Sequence, residues 1–159
     1  MLTLTSSIFE NNGLIPPKYT CDGDDTNPPL NVEGIPEGTK SLVLIVDDPD
    51  VPKEVNPAQM WDHWVVFNIP VSVGNLEIEE GKEPNGIGGN NSWEKTGYGG
   101  PCPPTEYEPT EHRYFFKLYA LDTMLDLPEG AVKKDVEVAM DGHVLEQTEL
   151  IGKFDRAGK

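Results

Sequence analysis

Two largely apolar runs in the first half of the chain predict two strands at the centre of the fold. They span residues 41–46 and 64–69. The first run is apolar on both faces of a strand, which is typical of strands that are covered by other structure on both sides. The pattern therefore predicts an all-β protein, a sandwich in which these two strands lie in the core.

A third strand is predicted by strict alternation over residues 112–121. Successive side chains of a strand point to opposite faces. His112 and Tyr114 therefore share a face with the apolar Phe116, and Arg113 lies on the other face. We expect both His112 and Tyr114 to point inward.

The remaining pattern predicts shorter elements near the two ends of the chain. Residues 2–9 mix Thr and Ser with apolar side chains, as an edge strand does. Later the period changes, and we expect helices at residues 131–140 and 144–149, followed by a final strand at residues 150–154. Residues 156–159 are expected to fray.

A long segment rich in glycine and proline, residues 81–104, is predicted to be a loop. It contains neither G-x-G-x-x-G nor a P-loop motif, so it is not a nucleotide-binding loop. One interpretation is a floppy surface loop. The alternative is a functional loop, because prolines in residues 97–104 stiffen a backbone that glycines allow to approach a ligand and to aim N–H groups at an anion.

Composition limits the class of protein. The 159 residues predict a single domain over residues 1–159. The formal net charge of −16 repels nucleic acids and anionic lipid surfaces, both of which are bound largely through Lys and Arg. We expect no nucleic-acid partner and no membrane insertion. Since there is no signal-peptide pattern and no long apolar stretch, a cytoplasmic location is the simplest expectation.

The two cysteines, Cys21 and Cys102, are far apart in the sequence and form no C-x-x-C pair. Their spacing predicts neither a zinc ribbon nor a disulfide framework. A single bridge between them and two free thiols both remain open.

Candidate chemistry concentrates at the ends of the two apolar runs. Asp48 and Asp50 follow the first run, and Trp61 and His63 precede the second. Because sequential strands are usually neighbours, these side chains are expected at one mouth. Carboxylate, imidazole and indole groups there suit a small polar ligand. The proline-interrupted residues 51–60 between the runs are typical of a lid or rim.

Three motifs together resemble the phosphatidylethanolamine-binding protein family, in its bacterial and archaeal, Raf-kinase-inhibitor-like branch. They are residues 48–52 with Trp61 and His63 behind them, residues 99–104, and residues 112–114. The resemblance implies a sandwich of two antiparallel sheets in Greek-key order. It also implies short helices near the C-terminus and a small anion pocket at one end.

The same resemblance implies a set of ligand-binding residues. These are Asp48, Pro52, Trp61, His63, Gly100, Pro101, Pro103, Pro104, His112 and Tyr114. In the family this pocket accepts phosphate-like anions and the headgroup of phosphorylethanolamine, and some members inhibit kinases or serine proteases. We expect no cofactor and no metal, and prokaryotic members of the family suggest a homodimer.

The residue types agree with an anion site. An oxyanion needs hydrogen-bond donors, which His63, His112, the Tyr114 hydroxyl and loop amides can supply. Ionised Asp48 cannot donate, and we expect it to hold a histidine in the donating tautomer or to accept from a ligand ammonium. We therefore predict a non-catalytic protein that binds a small anionic or phosphorylated ligand, with a kinase or protease as candidate protein partner.

Other classes of function remain open. A metal hydrolase could use Asp48, His63 and His112 as ligands, although no H-x-H or H-E-x-x-H spacing supports it. A metal-free acid–base enzyme could use Asp48 and His63, but there is no G-x-S-x-G motif or other activated nucleophile. A serine protease inhibitor would act through an exposed surface loop instead of the pocket.

Overall fold

The structure is a computed structural model that describes residues 1–71 and 74–156. Within these ranges the chain is mostly β, as predicted, with one α-helix, α1 (Lys133–Met140), and a short 3-10 helix at Pro17–Tyr19. The strands are β1 (Thr3–Thr5), β2 (Gly13–Leu14), β3 (Leu30–Glu33), β4 (Ser41–Asp48), β5 (Trp61–Ile69), β6 (Leu76–Ile78), β7 (Ile87–Gly88), β8 (Glu111–Leu121) and β9 (Val144–Asp155).

The strands form two sheets. A three-stranded antiparallel sheet has the order β1-β3-β6, and a six-stranded sheet has the order β2-β9-β8-β4-β5-β7. The prediction of purely antiparallel sheets is wrong at β2, which pairs in parallel with the C-terminal part of β9. The larger sheet is therefore mixed. The Greek-key order stays a prediction.

Strand β4 lies at the centre of the packing, and all of its residues are buried. Leu44 and Val46 belong to the cluster between the two sheets, whereas Val43 and Ile45 pack on the other face, against α1 and the loop before it. The prediction that this strand is covered on both faces is confirmed. Each large apolar side chain buried in this way contributes about 1.5–3 kcal/mol.

Strand β8 runs antiparallel to β4, and the two polar side chains that were predicted to point inward lie on its inner face. His112, Tyr114 and Phe116 are buried, whereas Glu111 and Arg113 are exposed. The predicted alternation is therefore confirmed. Since β8 begins where β4 ends, its first residues lie beside the acidic end of β4.

A β-bulge at His63 sets the direction of side chains at the start of β5. Val46 of β4 pairs with Trp64, and the next residue, Asp47, pairs with Asp62. His63 is therefore an extra residue without a partner in the ladder. A bulge interrupts the alternation of faces and often re-aims side chains beside functional sites. As a result, Asp62 reaches Lys133 of α1, while Trp64 stays in the core between the sheets.

The second helix predicted near the C-terminus is wrong. Residues 144–149 begin β9, which pairs with β8 along nearly its whole length. These residues form a strand instead of a helix because backbone hydrogen bonds to the free edge of β8 outweigh the local helix propensity. Gly142 has a φ of +82°, a turn that ends α1 and returns the chain to the sheet. The strand predicted at residues 150–154 is the second half of β9.

Other boundaries move by several residues. The strand predicted at residues 2–9 is confined to β1, at an edge of the smaller sheet. The helix predicted at residues 131–140 begins at Lys133, because the residue before it keeps an extended backbone. The predicted loop at residues 81–104 contains β7, which pairs with β5. The fraying predicted for residues 156–159 falls mostly on residues outside the described ranges.

Candidate functional site

A cavity of about 300 Å³ lies at the edge of the larger sheet where β4 ends and β5 and β8 begin. The described residues that line it are Asp48, Val51, Val55, Trp61, His63, Trp93, Cys102, Pro103, Pro104, His112 and Tyr114. A larger depression of about 410 Å³, at the other end of β5, contains none of the predicted site residues. The chemistry of the lining, and not size, therefore identifies the candidate site.

Most of the predicted ligand-binding residues meet in this cavity although they are distant in sequence. Those that line it are Asp48, Trp61, His63, Pro103, Pro104, His112 and Tyr114. The neighbouring strand ends bring them together, as expected from the antiparallel pairing of β4 with β5 and β8. Their role in binding a ligand stays a prediction.

The other three predicted residues are set back from the cavity. Pro52 is buried, and its carbonyl closes the turn that follows it. The Gly100 N–H donates to Asp25 Oδ1 at 2.8 Å, and the Pro101 carbonyl accepts from the Cys21 N–H at 3.0 Å. The expected donation from loop amides therefore fails at Gly100, and proline has no N–H to offer.

Asp50, which was expected at the same mouth, binds Arg113 instead. Its carboxylate accepts three hydrogen bonds at 2.9 Å, from the backbone N–H, Nε and Nη2 of Arg113. Burial alone would raise the pKa of Asp50, but the hydrogen bonds and charge of Arg113 lower it below its ordinary value. This pair fastens the loop after β4 to the start of β8.

Asp48 and His112 form a buried pair in the cavity wall. His112 Nδ1 lies 2.7 Å from Asp48 Oδ2, and His112 Nε2 lies 3.0 Å from the Pro109 carbonyl oxygen. A carbonyl only accepts, so Nε2 carries a proton. Burial lowers the pKa of His112, but the hydrogen bond and charge of Asp48 outweigh burial and raise that pKa above its ordinary value.

His112 is therefore best described as an imidazolium that donates both of its N–H groups to protein acceptors. The expectation that His112 donates to a bound anion is corrected on this point, because no N–H of the ring is left over. Asp48 does hold a histidine, as expected. Its other oxygen, Oδ1, accepts the Asp50 N–H at 2.7 Å.

His63 keeps one ring nitrogen for a ligand. Its Nδ1 donates to the Gly99 carbonyl oxygen at 2.7 Å, and the Gly99 N–H donates back to the His63 carbonyl oxygen at 2.9 Å. Burial lowers the pKa of His63 below its ordinary value, although the Gly99 bond and the charge of Asp48 oppose this shift. Neutral His63 offers an acceptor at Nε2, and protonated His63 offers a donor.

Two more donors belong to residues of the cavity wall. The Tyr114 hydroxyl and Trp61 Nε1 are buried, and neither has a hydrogen-bond partner within the described ranges. Burial raises the pKa of Tyr114, and the charge of Asp48 and a weak interaction with its carboxylate raise it further. The hydroxyl therefore stays protonated. A buried donor without a partner costs about 1–3 kcal/mol, so an acceptor that comes within reach of either atom would be held tightly.

Sequence reasoning missed three residues of the lining, namely Val51, Val55 and Trp93, whereas Cys102 lies within the predicted motif at residues 99–104. The two valines lie in the segment that was predicted to be a lid or rim. Trp93 meets the ring of Trp61 at 5.4 Å and that of His63 at 5.2 Å, edge to face. A single tryptophan within a glycine-rich loop was the signal that could have indicated it.

Cys21 and Cys102 form a disulfide, which resolves the alternative that the sequence left open. Because Cys102 lines the cavity, the bridge joins the cavity rim to the loop after the 3-10 helix. The backbone hydrogen bond from Cys21 to Pro101 lies next to it. The proline-rich segment is thus held covalently and by hydrogen bonds, and does not resemble a floppy loop.

The metal-hydrolase alternative gains no support from the donor geometry. Within the described residues, no group of three or more His, Cys, Asp and Glu side chains is arranged to hold a metal ion. His112 has both ring nitrogens engaged, so it lacks the free lone pair that a metal ligand requires.

Comparison with known proteins gives the family. The profile described as phosphatidylethanolamine-binding protein matches residues 5–155. The chain belongs to this family. The resemblance drawn from the three motifs is thereby confirmed, and the match includes every residue of the cavity.

Relatives and solved structures extend the match over nearly the whole chain. A protein of Methanothermobacter thermautotrophicus named UPF0098 protein is 48% identical, over 98% of this chain and 99% of its own length. The crystal structure of a phosphatidylethanolamine-binding protein homologue from Chlamydia trachomatis has a TM-score of 0.89 and 42% identity, covering 98% and 97% of the two chains. Escherichia coli YbcL, described as a member of the mammalian family, has a TM-score of 0.83 and 28% identity, covering 97% and 98%.

Proposed function

We propose that the protein binds a small anionic or phosphorylated ligand in this cavity and does not transform it. The observation that carries the proposal is the set of donors in the wall. The Tyr114 hydroxyl and Trp61 Nε1 are buried without partners, and His63 Nε2 is left over by the bond of Nδ1 to Gly99. An oxyanion accepts several hydrogen bonds at once, so it matches the Tyr114 and Trp61 donors, which His63 Nε2 joins when that ring is protonated.

Among the described residues that line the cavity, no nucleophile lies beside a free base, which favours binding over catalysis. The Asp48 carboxylate and the His112 ring share one hydrogen bond, and each makes one more within the protein. His112 held in this way has no free lone pair to accept a proton from a ligand, and the Asp48 carboxylate serves to position it. Regulation of a kinase or protease, and a homodimer, stay expectations that come from the family resemblance.

The first test is sulfate binding by Tyr114→Phe, measured by calorimetric titration. Loss of one donor to a charged acceptor is worth about 1.5–3 kcal/mol, so we expect sulfate affinity to fall at least about tenfold. The unfolding free energy is expected to stay equal or to rise, because the removed hydroxyl has no partner in the ligand-free protein.

Tyr119→Phe is the matched control, since Tyr119 lies on the opposite face of the same strand and packs against the cluster under α1. It is expected to leave sulfate affinity unchanged. Equal affinity of Tyr114→Phe and wild type, or no sulfate binding by wild type at all, would contradict the proposal.

The second test is the pH dependence of sulfate binding, which isolates His63. Sulfate does not titrate between about pH 5 and 8, so proton uptake must come from the protein. The pKa of free His63 is below the ordinary value of about 6.5, and a bound anion raises it. The complex then binds more protons than the free protein, so affinity falls as pH rises from the free to the bound pKa.

We expect the slope to reach at most about tenfold per pH unit and to vanish in His63→Gln. His112 contributes little, because its pKa is already raised by Asp48 before the ligand binds. A wild-type affinity that is flat from about pH 5 to 8 would show that His63 does not hold the anion as a cation.

The cytoplasmic location stays a prediction, and the disulfide bears on it. Structural disulfides are rare in reducing compartments, although intracellular proteins of hyperthermophiles are an exception. No helix in the described ranges has the length and apolar character to cross a membrane. Alkylation of protein taken directly from cells, followed by mass spectrometry, would give the oxidation state of Cys21 and Cys102 in place.

A further inference from the structure

The cavity is larger and more apolar than a bare oxyanion requires. Its volume of about 300 Å³ is at the lower end of small-molecule sites, which span about 300–1,000 Å³. Apart from the Asp48–His112 pair and the donors described above, the lining is apolar and includes Val51, Val55 and Trp93. A tetrahedral anion at the donors leaves this apolar part of the cavity unfilled.

Trp93 is held in place by a built turn, although the residue is 40% exposed. Asn91 Oδ1 accepts the Trp93 N–H at 2.9 Å, and Ser92 exchanges two hydrogen bonds of 2.8 Å with the backbone of Asp62 in β5. Gly99 lets the indole approach, since a Cβ at that position would lie 2.2 Å from Trp93 Cζ3. The indole is therefore a preformed wall and not a mobile surface side chain.

Val55 is a second exposed apolar side chain that is fixed at the cavity. It is 48% exposed, and its N–H donates to the Pro52 carbonyl at 2.9 Å. Asn56 extends the same turn by donating from Nδ2 to the Met60 carbonyl at 2.9 Å. Exposed apolar side chains on a rigid frame around a cavity are typical of ligand contacts.

The charge of the chain and of the cavity lining also favours a ligand with an apolar group. None of the described residues that line the cavity is Lys or Arg, and the chain carries a formal net charge of −16. Long-range repulsion therefore weakens the binding of a small dianion. A ligand with less charge and an apolar group would be repelled less and would gain energy from the apolar wall.

We propose that the cavity selects oxyanion monoesters whose organic group is a flat aryl ring, with the ring seated against Trp93 and Val55. This inference rests on the proposed function, because the oxyanion occupies the donors of Tyr114, Trp61 and His63. The rings of Trp61, His63 and Tyr114 already meet their neighbours edge to face. An aryl ring extends that arrangement, which favours aromatic partners beyond the area they bury.

The test compares methyl sulfate with phenyl sulfate by calorimetric titration at fixed pH. Both are monoanions, and neither titrates near neutral pH, so they differ only in the organic group. One apolar group in a fitting pocket changes affinity by about 10–200-fold, so we expect phenyl sulfate to bind at least about tenfold more tightly. In Val55→Ser and in Trp93→Leu this ratio is expected to fall about threefold or more.

Val138→Ser is the matched control, because Val138 is also an exposed valine, at 69%, but lies on α1. Its ratio is expected to equal that of wild type. Equal binding of the two esters, while sulfate binds, would overturn this inference and leave the proposed function intact. A preference for phenyl sulfate that survives in both Val55→Ser and Trp93→Leu would overturn the assigned position of the ring. Absence of binding by sulfate and both esters would overturn the proposed function as well.

Discussion

Reduction of the Cys21–Cys102 disulfide is expected to lower the free energy of unfolding by about 4.5 kcal/mol. The bridge closes a loop with a sequence separation of 81 residues, and the chain-entropy relation for a loop of that length gives about this value, within a measured range of roughly 2–5 kcal/mol for native bridges. The expected loss is a large fraction of the stability of a typical domain, about 5–15 kcal/mol. Urea unfolding with and without a dithiol reductant measures it.

A Cys21→Ser, Cys102→Ser double variant provides the control for the reduction experiment. It should unfold at the urea midpoint of the reduced wild type and should not respond to reductant. Because Cys102 lines the cavity, reduced protein should also bind sulfate less tightly. The starting protein must first be shown to contain the intact disulfide. If such protein then unfolds at the same urea midpoint with and without reductant, the expected effect is contradicted.

The central strands and the cavity were predictable because their signals are local. The apolar run in β4 reflects burial on two faces, and such burial leaves no polar position in the sequence. Asp48 lies just after the run in β4, and His63 lies just before the run in β5. Their place at neighbouring strand ends was therefore predictable from the pairing of sequential strands alone. The alternation in β8 likewise predicted the inward direction of His112 and Tyr114.

The missed features depend on partners that are remote in sequence. The exposed first half of β9 lacks an apolar face, and only its pairing with β8 makes it a strand. The position of Trp93 depends on close approach to Gly99 and on the anchoring of Ser92 to β5. The protonation of His112 depends on the Pro109 carbonyl, which comes from an irregular loop. None of these contacts has a periodic signature.

The two histidines illustrate the same limit. From the sequence, His63 and His112 were both predicted to donate to an anion, because both are imidazoles at inward positions. Their surroundings separate them, since His112 is paired with Asp48 and has a raised pKa, whereas burial lowers the pKa of His63. The consequence for function is that only His63 is expected to change its charge when an anion binds.

Replacing Asp48 by Ala is expected to lower the free energy of unfolding by about 3–5 kcal/mol, because it leaves the charge of His112 buried without a partner. The two side chains are almost completely buried in wild type. Asp122→Ala is the matched control. It breaks a second Asp–His contact of similar length, 2.8 Å to His143 against 2.7 Å in the buried pair, in which both side chains are 46% exposed, so its expected cost is below about 1 kcal/mol. Denaturant unfolding of the three proteins at one pH gives the comparison.

The pH dependence distinguishes an ionised pair from a merely space-filling one. In wild type the pKa of His112 is above the unfolded value of about 6.5, so its contribution is full below about pH 6.5 and is lost as pH rises through the folded pKa. In Asp48→Ala burial acts without the carboxylate, so that pKa falls below about 6.5 and stability declines as pH drops. The stability difference between the two proteins should therefore be larger near pH 6 than near pH 8.5. An equal difference at both pH values would mean that His112 is neutral in the folded protein and that Asp48 stabilises it by packing alone.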